Sequence, residues 1–145
     1  MKWFVGFLVF IVCSVALAQE NKKLPINLSF QCDEDTVGLR VAYKIREGVR
    51  RSSSMRIADS YSDSLIQMSL VCLNPDTGES GNVSYYSYAI TFVNRNGYYD
   101  YQLRHGVGTC GRLRVDECAG NIVATIDNEI DRLKQHIIDG SFNPS

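Results

Sequence analysis

Apolar and polar residues alternate through Ile26, Leu28, Phe30 and Cys32, with Asn27, Ser29 and Gln31 between them, the period-two signature of a strand with one buried face. Asp33, Glu34 and Asp35 come next. They fit the cap and first turn of a helix, where carboxylates meet unpaired amide donors and the positive end of the dipole. That helix is predicted over Thr36–Arg51, because Val37, Val41, Ile45 and Val49 recur every four residues on one face. Ser52, Ser53 and Ser54 break it. A short strand is predicted at Met55–Asp59, a polar turn at Ser60–Asp63, and a stronger strand at Leu65–Leu73 with apolar Ile66, Met68, Leu70 and Cys72 at its even positions. The turn formers from Asn74 through Pro75, Asp76, Thr77 and Gly78 to Gly81 read as a loop between strands, not a domain boundary.

A hairpin is predicted over Val83–Val107. Asn96 and Gly97 suit the two positive-φ positions of a type I′ turn. Pairing the chain symmetrically about them sets Phe92 opposite Tyr101, Ile90 opposite Leu103 and Tyr88 opposite His105, with Thr91 meeting Gln102 and Ala89 meeting Arg104. This register turns His105 inward with Tyr86, Tyr88, Tyr99 and Tyr101 and leaves Tyr85 and Tyr98 outside. The last element is a helix over Arg114–Ile138, whose Val115, Ala119, Ile122, Ile126, Ile130, Leu133 and Ile137 form a continuous apolar stripe. Gly140 and Pro144 close it. The pattern defines an α+β domain: an antiparallel sheet of about five strands with two helices packed on one face, in the order β-α-β-β-β-β-α.

The beginning of the chain follows a different logic. Met1 and Lys2 make a short positive start, Trp3 to Val15 are almost wholly apolar, and Ala16, Leu17 and Ala18 offer the pattern that signal peptidase accepts. Residues 1–18 are therefore expected to be a signal peptide cleaved before Gln19, leaving 19–145 as a single secreted or periplasmic domain. The apolar run falls short of the roughly 20 residues of a spanning helix. Cys13 follows Phe10, Ile11 and Val12 instead of the small residue that an acylated cysteine requires, so no membrane anchor is expected after cleavage.

Export changes the meaning of the cysteines. Cys32, Cys72, Cys110 and Cys118 remain in the mature chain, an even set in an oxidising compartment, which favours two disulfides. Three pairings are open to four cysteines. Cys110 with Cys118 and Cys32 with Cys72 are preferred, the first pair being close in sequence and the second lying on two predicted strands. A zinc site is disfavoured, since there is no C-x-x-C pair and no histidine at ligand distance.

Composition narrows the function classes. Charged residues make up 21% and hydrophobic residues 45%, ordinary globular values that exclude a disordered tail or a polytopic membrane protein. The net charge of −1 becomes one unit more negative when Lys2 leaves with the leader, so neither a nucleic-acid partner nor an acidic membrane surface is expected. No nucleophile elbow, metal-ligand spacing or phosphate-cradling glycine loop is present, and neither metal nor cofactor is expected. Cys110 and His105 are near in sequence, but in an oxidising compartment the thiol belongs in a disulfide. Six of the eight tyrosines fall between Tyr85 and Tyr101.

In outline the element order is similar to that of the cystatins, which wrap a five-stranded sheet around one helix and often carry four cysteines after a signal peptide. The likeness is topological and spans roughly two thirds of the chain. It implies an inhibitor that acts on an enzyme. The family's Gln-x-Val-x-Gly and Pro-Trp loops have no counterpart, Trp3 being the sole tryptophan. The residues themselves favour a non-enzymatic interaction module with a protein partner, with an inhibitor or immunity-type protein as the alternative and a small hydrolase as a distant third. Candidate partner-binding residues are the basic stripe Arg40, Lys44 and Arg51 and the outward Tyr85 and Tyr98.

Overall fold

Asp35 opens the first helix as its sequence position requires, its Oδ1 accepting a hydrogen bond from the Gly38 amide at 2.8 Å. In a computed structural model, which describes residues 23–75, 81–94 and 100–138, this helix, α1, spans Thr36–Arg51. Val37, Val41, Ile45 and Val49 are buried along it, and Arg50 and Arg51 stand in its last turn, beside the negative end of the dipole. The second helix, α2, spans Val115–Ile138 and buries Val115, Ala119, Ile122, Ile126, Ile130 and Leu133. The leader, the turn at Asn96 and Gly97, Tyr98, Tyr99 and the stop at Gly140 and Pro144 lie outside the described residues.

Five strands form one sheet: β1 (Leu24–Gln31), β2 (Met55–Ile57), β3 (Ile66–Leu73), β4 (Val83–Phe92) and β5 (Tyr101–Gly111), in the spatial order β2-β1-β3-β4-β5. The α+β class, the strand number and the element order are those expected from the sequence. Within the sheet the pairing is mixed. The β3-β4-β5 meander is antiparallel, whereas β1 lies parallel to both β2 and β3. The cause is α1, which carries the chain back along the sheet so that β2 re-enters in the direction of β1. Ala58 and Leu65 donate amide bonds to Ile26 and Pro25, both at 2.9 Å, so the segment that leads from β2 to β3, with its 3-10 turn at Tyr61–Asp63, stays tied to β1.

One face of the sheet carries the helices. Ile26, Ile66, Met68, Leu70 and Ile90 are wholly buried there and join the apolar stripes of α1 and α2 in one core. Two disulfides staple this layer, Cys32 to Cys72 and Cys110 to Cys118, the pairing expected from the sequence. Two helices cover the face, where the cystatin outline has one.

The β4–β5 register corrects the sequence reading. Phe92 faces Tyr101 and Thr91 faces Gln102 as expected, but an irregularity follows, so that Ile90 pairs with Arg104, Ala89 with His105 and Tyr88 with Gly106. The extra residue is Leu103, which packs against the core. A bulge of this kind moves every later side chain to the opposite face. His105 therefore points away from the core and lies exposed, with Gln102 Nε2 2.6 Å from its Nδ1. The shift also answers the bulk of β4. A Cβ on Gly106 would stand 2.6 Å from the Tyr88 ring, and one on Gly108 2.5 Å from the Tyr86 hydroxyl, so the glycines leave room for both rings.

Candidate functional site

Because β-strand side chains alternate between faces, the residues that are not in the core define the opposite, outer face of the sheet. On β1 these are Asn27, Ser29 and Gln31. On β3 they are Gln67, Ser69, Val71 and Leu73. On β4 they are Tyr85, Ser87, Ala89 and Thr91, and on β5 Gln102, His105, Val107 and Thr109. None of them is Asp, Glu, Lys or Arg, in a chain where such residues make up 21%. The charges resume at the margins. Arg56, paired with Pro25, is the outward residue of the edge strand β2, Arg104 belongs by register to the inner side, and Arg112 follows β5.

The ladder gathers the large apolar members of this face into one corner. Leu73 pairs with Tyr85, which pairs with Thr109; Val71 pairs with Ser87, which pairs with Val107. Leu73 is 66% exposed, Tyr85 51% and Val107 84%. Together with Val71 they line a shallow depression of about 370 Å³. Large apolar side chains standing in water next to one another, and not scattered singly, are the mark of a surface that meets something.

The helical side has the opposite character. Arg40, Lys44 and Arg51 are exposed along α1, and acidic neighbours reach Lys44 and Arg51. Lys44 Nζ lies 2.7 Å from Asp116 Oδ1 on α2, while Glu47 approaches Arg50 at 2.8 Å and Arg51 at 3.9 Å. The hydrogen bond from Lys44, then its charge and that of Arg40, hold the Asp116 carboxyl below the ordinary carboxylate range. A groove of about 460 Å³ runs between the helices where Gly48 faces Val123. Ser54 Oγ closes one end of the helix pair with a hydrogen bond to Asp127. Two of the three stripe residues, Lys44 and Arg51, are thus paired within the fold.

Of the residues singled out from the sequence, Tyr85 sits in the apolar corner of the outer face, while Arg40, Lys44 and Arg51 lie on the helical layer; the structure does not bring the two groups together. Tyr98 lies outside the described residues. Val71, Leu73 and Val107 were missed. Leu73 and Val71 were legible as apolar residues at the odd, outward positions of a strand whose even positions fill the core. Val107 became outward only through the bulge. Cys110 and His105 cannot act as a pair: they stand on opposite faces of β5, and Cys110 is wholly buried in its disulfide. No group of three or more His, Cys, Asp or Glu among the described residues could hold a metal ion, and no helix among them is long and apolar enough to cross a membrane.

The outline of a five-stranded mixed sheet, two helices on one face and two disulfides defines a small α+β domain, and the disulfides are consistent with an extracytoplasmic location. No known protein family matches the chain, and no curated protein does. Solved structures do resemble it. A hypothetical protein from Chlamydia trachomatis shares the fold with a TM-score of 0.50 at 8% identity, over 74% of this chain and 98% of that one. A lipoprotein candidate from Caulobacter crescentus has a TM-score of 0.46 at 12% identity, over 72% and 90% of the two chains. A PelC variant dodecamer from Paraburkholderia phytofirmans has 0.44 at 15%, over 75% and 87%. Of these three, the first alone reaches the level at which a fold is shared, and it speaks for the fold alone.

Proposed function

We propose that this protein is a non-enzymatic interaction module, exported to the periplasm or the cell exterior by cleavage before Gln19, that binds a protein partner through the outer face of its sheet. The observation that supports this reading is the exposed corner of Leu73, Tyr85, Val71 and Val107, set among outward positions of β1, β3, β4 and β5 that hold no Asp, Glu, Lys or Arg. Interface cores are depleted of charged residues and enriched in aromatic ones, with a polar rim around them. The corner supplies the apolar centre with Tyr85 as its anchor, and the Asn, Gln, Ser and Thr residues around it supply hydrogen-bonding groups for the rim. A soluble surface that met only water would carry interspersed Lys and Glu, as α1 and α2 do.

Site-specific photo-cross-linking in the living cell tests the reading. A photoreactive phenylalanine analogue in place of Tyr85 should yield a protein adduct, whereas the same analogue in place of Tyr43, 58% exposed on α1, should yield none. Adducts from position 43 alone, or from neither position, would overturn the assignment of the outer face.

A further inference from the structure

We propose that the occupant of the outer face is a second copy of the same chain, the two sheets stacked face to face about a two-fold axis that passes close to Ser87. The inference rests on the outer face being the interaction surface and names its partner.

Symmetry is the first argument. A two-fold interface is isologous: the same patch is contributed by both copies, and a residue on the axis meets itself. Any Lys or Asp near the axis would then face its own like charge, at a cost of several kcal/mol for each such juxtaposition. The outward positions of β1, β3, β4 and β5 hold no Asp, Glu, Lys or Arg, and the one charged outward residue, Arg56, stands at the far edge on β2; this is a composition that favours self-apposition. A different protein would impose no such rule, because its charges could be matched by opposite ones on this chain. Charge is plentiful elsewhere in the molecule and stops at the borders of this face, at Arg56, Arg104 and Arg112.

Geometry agrees. Ser87 is exposed and lies between Val71 and Val107 in the ladder, two residue pairs along from Leu73 and Tyr85. An axis there would bring the apolar corner of one copy against that of the other and leave the Asn, Gln, Ser and Thr positions as rim. Four strands at about 4.8 Å spacing and about eight residues of 3.3 Å rise give a footprint of roughly 20 by 25 Å. With side chains standing on it, that footprint has an accessible area approaching the ~800 Å² per partner of a stable pair. Sheets stacked this way lie about 10 Å apart with their strands within about 30° of one another.

The test is the mass in solution of the exported, disulfide-bonded protein, by sedimentation equilibrium. At about 100 µM, well above the dissociation constant of a micromolar interface, the protein should have twice the mass of its chain. Ser87→Arg and Val107→Arg each place a cation in the apposed faces, at exposed positions that leave the fold intact by circular dichroism. Each should weaken association by about a hundredfold, so that at about 100 µM roughly half of the chains are single and the weight-average mass falls to about one and a half chains. A dimer whose mass survives both arginine substitutions would overturn face-to-face pairing, as an arrangement through the free edge of β5 would do. A protein that stays monomeric at about 1 mM would overturn self-association altogether. In that event an adduct from position 85 to a different protein would still uphold the interaction module, so the two readings fail separately.

Discussion

Replacing Cys32 and Cys72 together by alanine is expected to lower the free energy of unfolding by about 4 kcal/mol, against about 2.5 kcal/mol for the Cys110 and Cys118 pair. The ratio follows from loop length. The first bridge closes 40 residues of sequence and the second 8, and a longer loop removes more conformational freedom from the unfolded chain. The long bridge also holds neighbouring parallel strands together, since Cys32 follows β1 and Cys72 lies in β3 next to the Gln31–Val71 pair. A domain of this size has only about 5–15 kcal/mol of net stability, so the first variant should unfold at much lower urea. Urea titrations of the two double variants check this; equal losses, or a larger loss for the short loop, would contradict it.

The same substitution at two helical glycines should act in opposite directions. A Cβ on Gly38 would stand 2.5 Å from Cys72 Cβ and 2.8 Å from its Sγ, and the disulfide leaves that side chain no room to turn away. Gly38→Ala is therefore expected to destabilise by about 1–3 kcal/mol through overpacking, even after the gain in helix propensity. Gly120 lies in α2 with nothing within 4 Å of the position of its missing Cβ. There Gly120→Ala should stabilise by up to about 1 kcal/mol, the propensity gain alone. Thermal denaturation of the two variants reads the signs directly, and a neutral Gly38→Ala would mean that α1 does not approach β3 as described.

Gly38 also marks where sequence pattern stops being informative. The period of Val37, Val41, Ile45 and Val49 tells that a helix exists and which side is buried, because 3.6-residue repetition and burial are the same fact seen twice. It does not tell how near the helix comes to the sheet, which is set by a partner 34 positions further on. Ile26, Leu28 and Phe30 likewise reveal a strand and its inner side, but alternation is blind to the direction of the neighbouring strand, so the parallel seat of β1 between β2 and β3 could not be read. The bulge at Leu103 was hidden for a related reason. Symmetric pairing about Asn96 and Gly97 and the bulged pairing agree as far as Gln102, and what separates them is the fit of Gly106 and Gly108 to the rings of Tyr88 and Tyr86.

The candidate site was half legible. Tyr85 was read as outward from the register alone, and it is. The basic stripe was conspicuous in sequence because Arg40, Lys44 and Arg51 share a helix, while Asp116, the residue that engages Lys44, is brought in by α2 from far along the chain. What sequence reading weighs least is the absence of a residue type. That the outward positions of β1, β3, β4 and β5 hold no Asp, Glu, Lys or Arg emerges only when strands distant in sequence are set side by side.

Carbene footprinting read by mass spectrometry measures whether the outer face is covered when the protein is at work. Labelling of Leu73, Tyr85 and Val107 in the intact extracytoplasmic setting is compared with labelling of the exported protein diluted to a monomer, with Leu39 and Tyr43 on α1 as internal standards, these five being exposed in the isolated chain. Leu73, Tyr85 and Val107 should lose most of their labelling in the native setting while Leu39 and Tyr43 keep theirs. Protection of Leu39 and Tyr43 with full labelling of Leu73, Tyr85 and Val107 would contradict coverage of the outer face.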